Sequence, residues 1–484
     1  MLFNSIHFAV FLPLVLLAYW AISPKKVQWQ NVLLLVASYF FYACWDWRFL
    51  FLLLFSTFLD FFTGIKMENS VTEFHKKIWF WISLVVNLGF LGVFKYYDFF
   101  AISLSQSMSN VGLQVSPITL NIILPVGISF YTFHGLSYVI DIYYNRIRAE
   151  KNFIDYALFV SFFPLLVAGP IERATHLLPQ IKTQRKFDYH QAVDGLRQIL
   201  WGLFKKVVIA DSCAVFANDI FQNYTDYSGS TLLIGAFFFA FQIYGDFSGY
   251  SDIALGTAKL FGINLLRNFA YPYFSRDIAE FWRRWHISLS SWFKDYLYIP
   301  LGGSKGGNWI KIRNTFIIFI VSGFWHGANW TFIFWGLLNA VFIIPSILLK
   351  TNRVNIDIAA KGRLLPNLNE LLSILITFLL TTFAWIFFRA ENIGDAFAYV
   401  GKICTISTLS LPQFKGINSS IYTLFFLIVM IIIEWISRDK FHALQTFGLN
   451  WKKPVRWSFY IAMMLTIYYC SIIGSNQEFI YFQF

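Results

Sequence analysis

Residues 314–349 read NTFIIFIVSGFWHGANWTFIFWGLLNAVFIIPSILL. They form two apolar blocks that are joined by a short, more polar segment. Neither block holds an Asp, Glu, Lys or Arg, and the one ionisable side chain is His326. A helix that crosses a bilayer needs about 20 predominantly apolar residues. The stretch therefore predicts a pair of membrane helices with a histidine between them.

The same apolar character extends over the whole chain of 484 residues. Hydrophobic residues make up 57%, aromatic residues 21% and charged residues 13%, whereas a soluble domain carries about 25% charged residues. This composition excludes a soluble globular enzyme, a disordered chain and a nucleic-acid binder. The net charge of +12 lies in short loops between apolar blocks, so we assign it to membrane topology. The four cysteines lie far apart and show neither a zinc-binding spacing nor a disulfide framework, so no metal site is expected.

Basic residues mark the loops that are expected to face the cytoplasm. Block 154–169 lies between two basic loops and contains Pro164, so we predict a re-entrant segment that does not cross. The other blocks predict about 11–12 crossings of a single domain over 1–484, with both termini outside. The apolar blocks are 6–22, 31–44, 49–65, 78–97, 119–143, 154–169, 192–217, 231–258, 314–328, 331–349, 370–388, 421–437 and 457–473.

Block 192–217 departs from the pattern because Lys205 and Lys206 lie in its middle. Long lysine side chains extend along apolar surface and place the ammonium group in water. We count this block among the crossings; the alternative is that it lies partly at the membrane interface, with both lysines snorkelling.

His326 is the leading candidate for chemistry. The last cytoplasmic charge before it is Arg313, and a helix would carry His326 roughly 20 Å into a core of about 30 Å. Ionisable residues at such depth are functional candidates by default. Trp325 and Asn329 are its expected supporting residues, and Gly323 would let a backbone or substrate approach closely. A hydrogen-bonded structural histidine between packed helices remains the alternative.

Residues 277–300 predict an amphipathic helix on the cytoplasmic side of the membrane, ended by Pro300. His286 follows two arginines, which disfavours its protonation, so we expect a neutral base or hydrogen-bond partner. An interfacial anchor without chemistry explains the same pattern. The apolar stripe consists of Phe281, Trp285, Leu289, Trp292 and Tyr296.

The loop GGSKGG at 302–307 follows this segment. Flexible backbone beside Lys305, Lys311 and Arg313 is suited to phosphate binding. The GxxxxGK[ST] spacing of a P-loop is absent, and a plain cytoplasmic turn explains the glycines equally well.

Two carboxylates, Asp246 and Asp252, fall within one apolar block and need partners there. Asp246 shares a helix face with Tyr250. We expect Arg283 or Arg284 to pair with the carboxylates, which would brace the site. A catalytic role for the carboxylates is the alternative.

Neither a GxSxG nor an HExxH motif occurs, so a serine-hydrolase or zincin mechanism is unsupported. The chain resembles the membrane-bound O-acyltransferase family through FWRRWHISLSSWFKDYLYIPLGG (281–303) and GFWHGANWTFIFWGLLNA (323–340). Within the family it is similar to the bacterial polysaccharide branch of alginate and peptidoglycan O-acetyltransferase subunits. Further similar segments are LLLVASYFFYACW (33–45), LPVGISFYTFHGLSYVIDIYY (124–144), FPLLVAGPIERA (163–174), FKKVVIAD (204–211) and YGDFSGYSDIALG (244–256).

The resemblance implies an all-α polytopic membrane protein, with a helical ring and re-entrant and amphipathic helices around a central tunnel. It implies an O-acetyltransferase that takes acetyl from a cytoplasmic donor, acetyl-CoA, without a permanently bound cofactor. His326 in the WHG motif is then the expected catalytic residue, as base or as acyl carrier, and His286 is the second polar position. The residues expected to bind the donor are Arg283, Arg284, Trp285, Lys305 and Arg313.

The resemblance also implies that the protein lies in the cytoplasmic (inner) membrane of a bacterium, where it contacts membrane lipid. An extracytoplasmic SGNH-type acetyltransferase or a cell-surface polysaccharide is the expected acceptor partner. The competing interpretation is a transporter or flippase that moves an acyl or lipid-linked species without covalent chemistry. The polymer and the acyl chain are left open.

Overall fold

The fold is all-helical, as the sequence predicts. The computed structural model describes residues 1–167, 169–473 and 478–480. Helices account for 71% of the chain, and the described residues contain no strand. Together with the apolar helices below, this confirms a polytopic membrane protein.

The chain folds into two compact units, where the sequence predicted one domain over 1–484. Unit one comprises Met1–Gln191 and Ala258–Leu266, and unit two comprises Ala192–Thr257 and Arg267–Phe484. The chain therefore leaves unit one, returns to it briefly and leaves it again. Whether both units act as one catalytic domain stays a prediction.

Nine α-helices lie entirely within the described part of unit one. Helix α4 runs through a π-helical turn, Gly92–Tyr96, directly into α5. The helices are α1 (Ile6–Ala21), α2 (Val27–Asp46), α3 (Arg48–Glu68), α4 (Glu73–Leu91), α5 (Tyr97–Asn110), α6 (Ile128–Tyr143), α7 (Phe153–Ser161), α8 (Phe163–Leu166) and α9 (Ala174–Lys182).

The segment predicted as re-entrant is broken into α7 and α8 at Phe162. The nine residues of α7 rise about 14 Å, far less than a hydrocarbon core of about 30 Å. At the break, the N–H of Phe163 donates to the hydroxyl of Ser38 at 3.0 Å, so the freed backbone donor is satisfied within the protein. Residue 168 of this segment lies outside the described residues, and the absence of a crossing stays a prediction.

The described residues contain eleven further α-helices, of which α10 begins and α12 ends in unit one. They are α10 (Tyr189–Leu203), α11 (Asp211–Gln222), α12 (Gly229–Leu260), α13 (Ile278–Arg284), α14 (Ile287–Phe293), α15 (Gly307–His326), α16 (Trp330–Leu348), α17 (Leu368–Arg389), α18 (Ile393–Ile403), α19 (Ile417–Ile436) and α20 (Lys453–Ile473). A π-helical turn, Phe204–Ala210, joins α10 to α11, and another, Lys294–Tyr298, follows α14.

Six helices of the described chain are long and apolar enough to cross a membrane. The prediction of 11–12 crossings rests on shorter blocks as well, and the number of crossings stays a prediction. The six candidate spans are Arg48–Glu68, Glu73–Asn110, Gly229–Leu260, Trp330–Leu348, Leu368–Arg389 and Ile417–Ile436.

The segment 277–300 is not the single helix that its apolar stripe predicted. Helix α13 ends at Arg284, and His286 takes a left-handed conformation, φ 43° and ψ 55°, before α14 begins. The stripe is real, since Phe281, Trp285 and Leu289 are buried. The segments before and after His286 both bury apolar residues. The helical periodicity of the apolar residues alone therefore could not reveal the break between α13 and α14.

Helices α15 and α16 form a tightly packed hairpin whose connecting residues contain the WHG motif. A Cβ atom on Gly323 would overlap the carbonyl oxygen of Phe332, and one on Gly336 would overlap that of Phe319. The two backbones approach each other at both glycines, as small residues at helix interfaces allow. The predicted close approach at Gly323 is therefore made by the backbone of α16.

Candidate active site

His326 is the last residue of α15 and is buried, with 5% of its surface exposed. Asn329 caps the next helix, because its side-chain oxygen accepts from the N–H of Thr331 at 3.0 Å. The motif thus places a histidine at a helix end and starts α16 three residues later.

Aromatic rings surround His326. The ring centroids of Trp335 and Phe388 lie 5.2 Å and 5.4 Å from that of His326, and both rings stand edge-on to it. Trp325 is buried and its ring lies 4.9 Å away. Trp325, which the sequence predicts as a supporting residue, is therefore joined by two further rings, from α16 and α17.

His286 also contacts Trp325. The rings of His286 and Trp325 are perpendicular, with centroids 6.1 Å apart, and Phe247 packs against His286 at 4.6 Å. Trp325 therefore contacts both histidines that the sequence singled out.

The hydrogen bonds of His286 define its chemistry. Its Nδ1 accepts from the N–H of Leu289 at 3.3 Å, which caps α14. Burial lowers the pKa of His286 to about 3, so the imidazole is neutral at physiological pH. With Nδ1 as acceptor, the proton resides on Nε2. Nε2–H is buried and finds no hydrogen-bond acceptor among the described residues, so it is available to donate to a substrate.

The buried carboxylates pair with the two lysines of block 192–217. Asp246 lies 2.7 Å from Lys206, and Asp252 lies 2.6 Å from Lys205. Lys206 also contacts Asp211 at 2.8 Å. The expected pairing with Arg283 or Arg284 is wrong. The snorkelling alternative is wrong too, because both lysines lie in the π-helical turn with their side chains buried.

Asp246 and Tyr250 are part of this ionic cluster. The second carboxylate oxygen of Asp246 accepts from the N–H of Ile480 at 2.7 Å, and the ammonium of Lys206 lies 5.5 Å from the Tyr250 ring. Neighbouring Phe247 contacts His286. The cluster therefore fixes the part of α12 that packs against His286, which fits the bracing role expected from the sequence.

A large basic cavity lies at the opposite end of the α15–α16 hairpin. Its volume is about 750 Å³, within the range of small-molecule sites. Four cations line it and no carboxylate does: Arg283, Lys311, Lys350 and Arg353. We call it the basic cavity. The guanidinium of Arg283 donates to the carbonyls of Asn352 and Asn355, each at 2.8 Å, and so ties down the loop beside it.

A row of aromatic rings connects the basic cavity with His326. Phe319 lines the cavity, and its ring lies 5.2 Å from that of Trp282. Trp282 is 5.6 Å from Trp335, which contacts His326. The inner end of the basic cavity is thus separated from the histidine by two indole rings.

The other residues predicted to bind a donor lie elsewhere. Arg284 pairs with Glu280 at 2.8 Å, and Arg313 donates to the carbonyl of Leu301 at 3.0 Å. Trp285 is buried against Trp385, with centroids 5.0 Å apart. Lys305 is exposed in its loop and is not among the residues that line the basic cavity.

Comparison with known proteins identifies the family. The model of the membrane-bound O-acyltransferase family (MBOAT) matches residues 143–388. A peptidoglycan O-acetyltransferase of Helicobacter pylori is 35% identical, over 100% of this chain and 98% of its own. The chain belongs to the membrane-bound O-acyltransferase family.

Other MBOAT relatives differ in their named acceptors. The probable alginate O-acetylase AlgI of Pseudomonas aeruginosa is 38% identical, over 86% of this chain and 78% of its own. The teichoic acid D-alanyltransferase of Bacillus subtilis is 29% identical, over 46% of this chain and 59% of its own. The predicted family and enzyme class are confirmed: this MBOAT protein is a membrane O-acyltransferase.

Sequence reasoning missed two of the four cations of the basic cavity in this MBOAT protein. Lys350 and Arg353 follow the end of α16, in a basic stretch of the kind that marks a cytoplasmic loop. Since α15 begins at Gly307 and α16 ends at Leu348, an antiparallel hairpin brings this loop beside Lys311. Two basic stretches that flank one pair of apolar blocks would therefore have predicted that Lys350 and Arg353 lie close to Lys311.

Proposed function

We propose that this protein takes an acetyl group from acetyl-CoA on the cytoplasmic side of a bacterial inner membrane and passes it across for O-acetylation of a cell-surface polysaccharide. The observation that carries the proposal is the placement of His326 and the basic cavity at opposite ends of one helix hairpin. The named relatives, which include peptidoglycan and alginate O-acetylating proteins, support a glycan acceptor.

The donor binds in the basic cavity. Coenzyme A carries several phosphate charges, and the cavity offers four cations without a carboxylate. The phosphates contact Arg283, Lys311 and Arg353, while the pantetheine arm extends past Phe319 towards His326. The excess positive charge at this end supports a cytoplasmic location of the donor site. By the same charge pattern, both chain termini are extracytoplasmic.

His326 activates the acceptor hydroxyl as a general base. The hydroxyl proton moves to His326, the oxygen attacks the thioester carbon, the C–S bond breaks, and the thiol leaves with a proton. The Nε2–H of His286 donates to the carbonyl oxygen as negative charge develops there. The alternative is that His326 first carries the acetyl group itself.

The helical ring and central tunnel that the family resemblance implies would connect the two membrane faces. The aromatic rings beside His326 line its narrow part and exclude water from the thioester. An extracytoplasmic SGNH-type transferase or the polysaccharide itself receives the acetyl group. The identity of the polymer depends on that partner.

The test is the variant His326→Ala, purified in detergent, with His7→Ala as the matched control because His7 is exposed. The measurements are release of free CoA from acetyl-CoA and acetylation of surface polysaccharide in complemented cells. We expect His326→Ala to lose both activities and His7→Ala to retain them. Wild-type CoA release by a folded His326→Ala protein would overturn the proposal, and a pure transporter would release no CoA at all.

A further inference from the structure

A second, smaller cavity lies beside the C-terminal end of α17. Its volume is about 60 Å³, room for several water-sized groups. Its lining includes Phe221, Gln222, Tyr224, Arg389, Glu391 and Asp395. We call it the Arg389 cavity. Unlike the basic cavity, it combines a cation with two carboxylates, an amide and a phenol.

The side chains of this cavity are held in place by their neighbours. The Phe221 ring is stacked on Tyr399 with centroids 4.5 Å apart, and the guanidinium of Arg389 lies 5.6 Å from the Phe221 ring. Arg389 donates to the side-chain oxygen of Asn218 at 3.0 Å. Tyr224 donates to Asp395 at 3.0 Å. The polar groups are therefore preorganised, which lowers the entropic cost of binding a ligand.

The charges indicate which ligand the cavity suits. No carboxylate of the described chain lies within ion-pair distance of Arg389, whereas Glu391 and Asp395 lie in the same lining. One cation and two carboxylates give a net negative lining, which disfavours an anionic ligand. A sugar hydroxyl can both donate to a carboxylate and accept from a guanidinium, so a neutral polyol satisfies both kinds of group.

The cavity lies at the His326 end of the hairpin. Arg389 directly follows Phe388, whose ring lies 5.4 Å from that of His326. Asn329 of the WHG motif donates to the carbonyl of Glu391 at 2.8 Å. The motif that carries His326 thereby fixes the turn that forms one wall of the cavity.

We propose that the Arg389 cavity binds the hydroxyl groups at one edge of a neutral sugar unit of the acceptor glycan, at the His326 end of the hairpin. This inference rests on the proposed function and deepens it, because it names the acceptor site. Arg389 and Glu391 are binding residues in this assignment. The acetyl donor enters from the opposite end and does not contact them.

The test is equilibrium binding of two oligosaccharide probes to the purified full-length protein, measured by saturation-transfer NMR. Chitotetraose is the neutral probe and tetragalacturonate is the anionic one. We expect the neutral probe to bind, and Arg389→Gln to weaken its binding about tenfold or more, because a hydrogen bond to a charged group is lost. Glu391→Gln should weaken it by a smaller factor. Arg363→Gln, an exposed arginine at the other end of α17, is the matched control and should bind normally.

The helix content and the thermal unfolding temperature of each purified variant are the second measurement. We expect Arg389→Gln to keep both at the wild-type values, so that its weaker sugar binding does not come from a folding defect. Should Arg389→Gln fold poorly, Glu391→Gln, an exposed position, decides the question alone.

Three outcomes would overturn the assignment. One is normal binding of chitotetraose by both variants, or no binding by the wild-type protein. Another is preferential binding of tetragalacturonate. The third is an Arg389-dependent transfer of acetyl to a purified SGNH-type protein while neither sugar binds. His326→Ala measured in parallel separates the two proposals, because only the proposed function predicts its loss of CoA release.

Discussion

The backbone and the ring of His286 serve two purposes at once. A non-glycine residue at φ 43° is uncommon, and His, Asn and Asp tolerate this conformation better than most residues. The ring nitrogen Nδ1 caps α14, and the buried Nε2–H has no acceptor among the described residues. The same residue therefore bends the chain and presents a proton.

Substitutions at His286 should separate these two purposes. Asn tolerates the left-handed backbone, caps a helix and retains an N–H donor, so we expect His286→Asn to keep measurable acetyl-CoA turnover. Gly relieves the backbone but removes the donor, so His286→Gly should fold and lose activity. His286→Ala should lose both activity and some stability. The measurements are CoA release and thermal unfolding; activity of His286→Gly equal to that of His286→Asn would show that only the backbone bend matters.

Between elements, the packing of α15 on α16 determines where His326 lies. Gly323 and Gly336 each admit the backbone of the facing helix, so the two contacts are reciprocal. Interior packing leaves no room for an added methyl group without displacement of the backbone. A small separation of these helices would move His326 relative to Trp335, which lies on α16.

We expect Gly323→Ala to destabilise the protein by about 1–3 kcal/mol, the usual cost of overpacking, and to lower acetyl-CoA turnover. Thermal unfolding of the purified protein in detergent measures the first effect. Gly401→Ala is the matched control, since a Cβ there meets no atom within 4 Å, and replacement of an exposed helical glycine should leave stability unchanged or slightly raised. Equal unfolding temperatures for Gly323→Ala and wild type would contradict the close packing.

For the molecule as a whole, the charges of unit two differ between its ends. The basic cavity carries four cations and no carboxylate, whereas the Arg389 cavity carries one cation and two carboxylates. Loop cations favour the cytoplasm. The first end is therefore expected inside and the second outside.

Cysteine labelling checks this orientation. In a background without the four native cysteines, Thr225→Cys reports on the Arg389 end and Lys361→Cys on the basic end; both positions are exposed. We expect a membrane-impermeant maleimide to label Thr225→Cys in intact spheroplasts, and Lys361→Cys only after permeabilisation. The reverse pattern would place the donor site outside the cell and contradict the proposed direction of transfer.

The sequence predicts the helical membrane class because this class depends on composition. It predicts the candidate histidines because ionisable residues are rare in apolar segments. His326 is recognisable since a single ionisable residue interrupts a long apolar stretch. The partners of Asp246 and Asp252 were mispredicted, because a lysine within an apolar block can extend outward to water or turn inward to a carboxylate. Only the π-helical turn distinguishes these possibilities. Likewise, helical periodicity persists across His286 although the helix does not.

The pairing of Lys206 with Asp246 also constrains how the chain is made. Asp246 is synthesised about 40 residues after Lys206, a delay of roughly 2–8 s at usual bacterial translation rates. During that interval neither lysine has its carboxylate partner on α12, and only Asp211 is present to neutralise Lys206. A cation that is not fully neutralised is costly in hydrocarbon. The segment carrying Lys205 and Lys206 should therefore wait in the translocon, or at the bilayer surface, until α12 emerges from the ribosome. Helix insertion in this protein is then a joint event of two segments rather than a strictly sequential one.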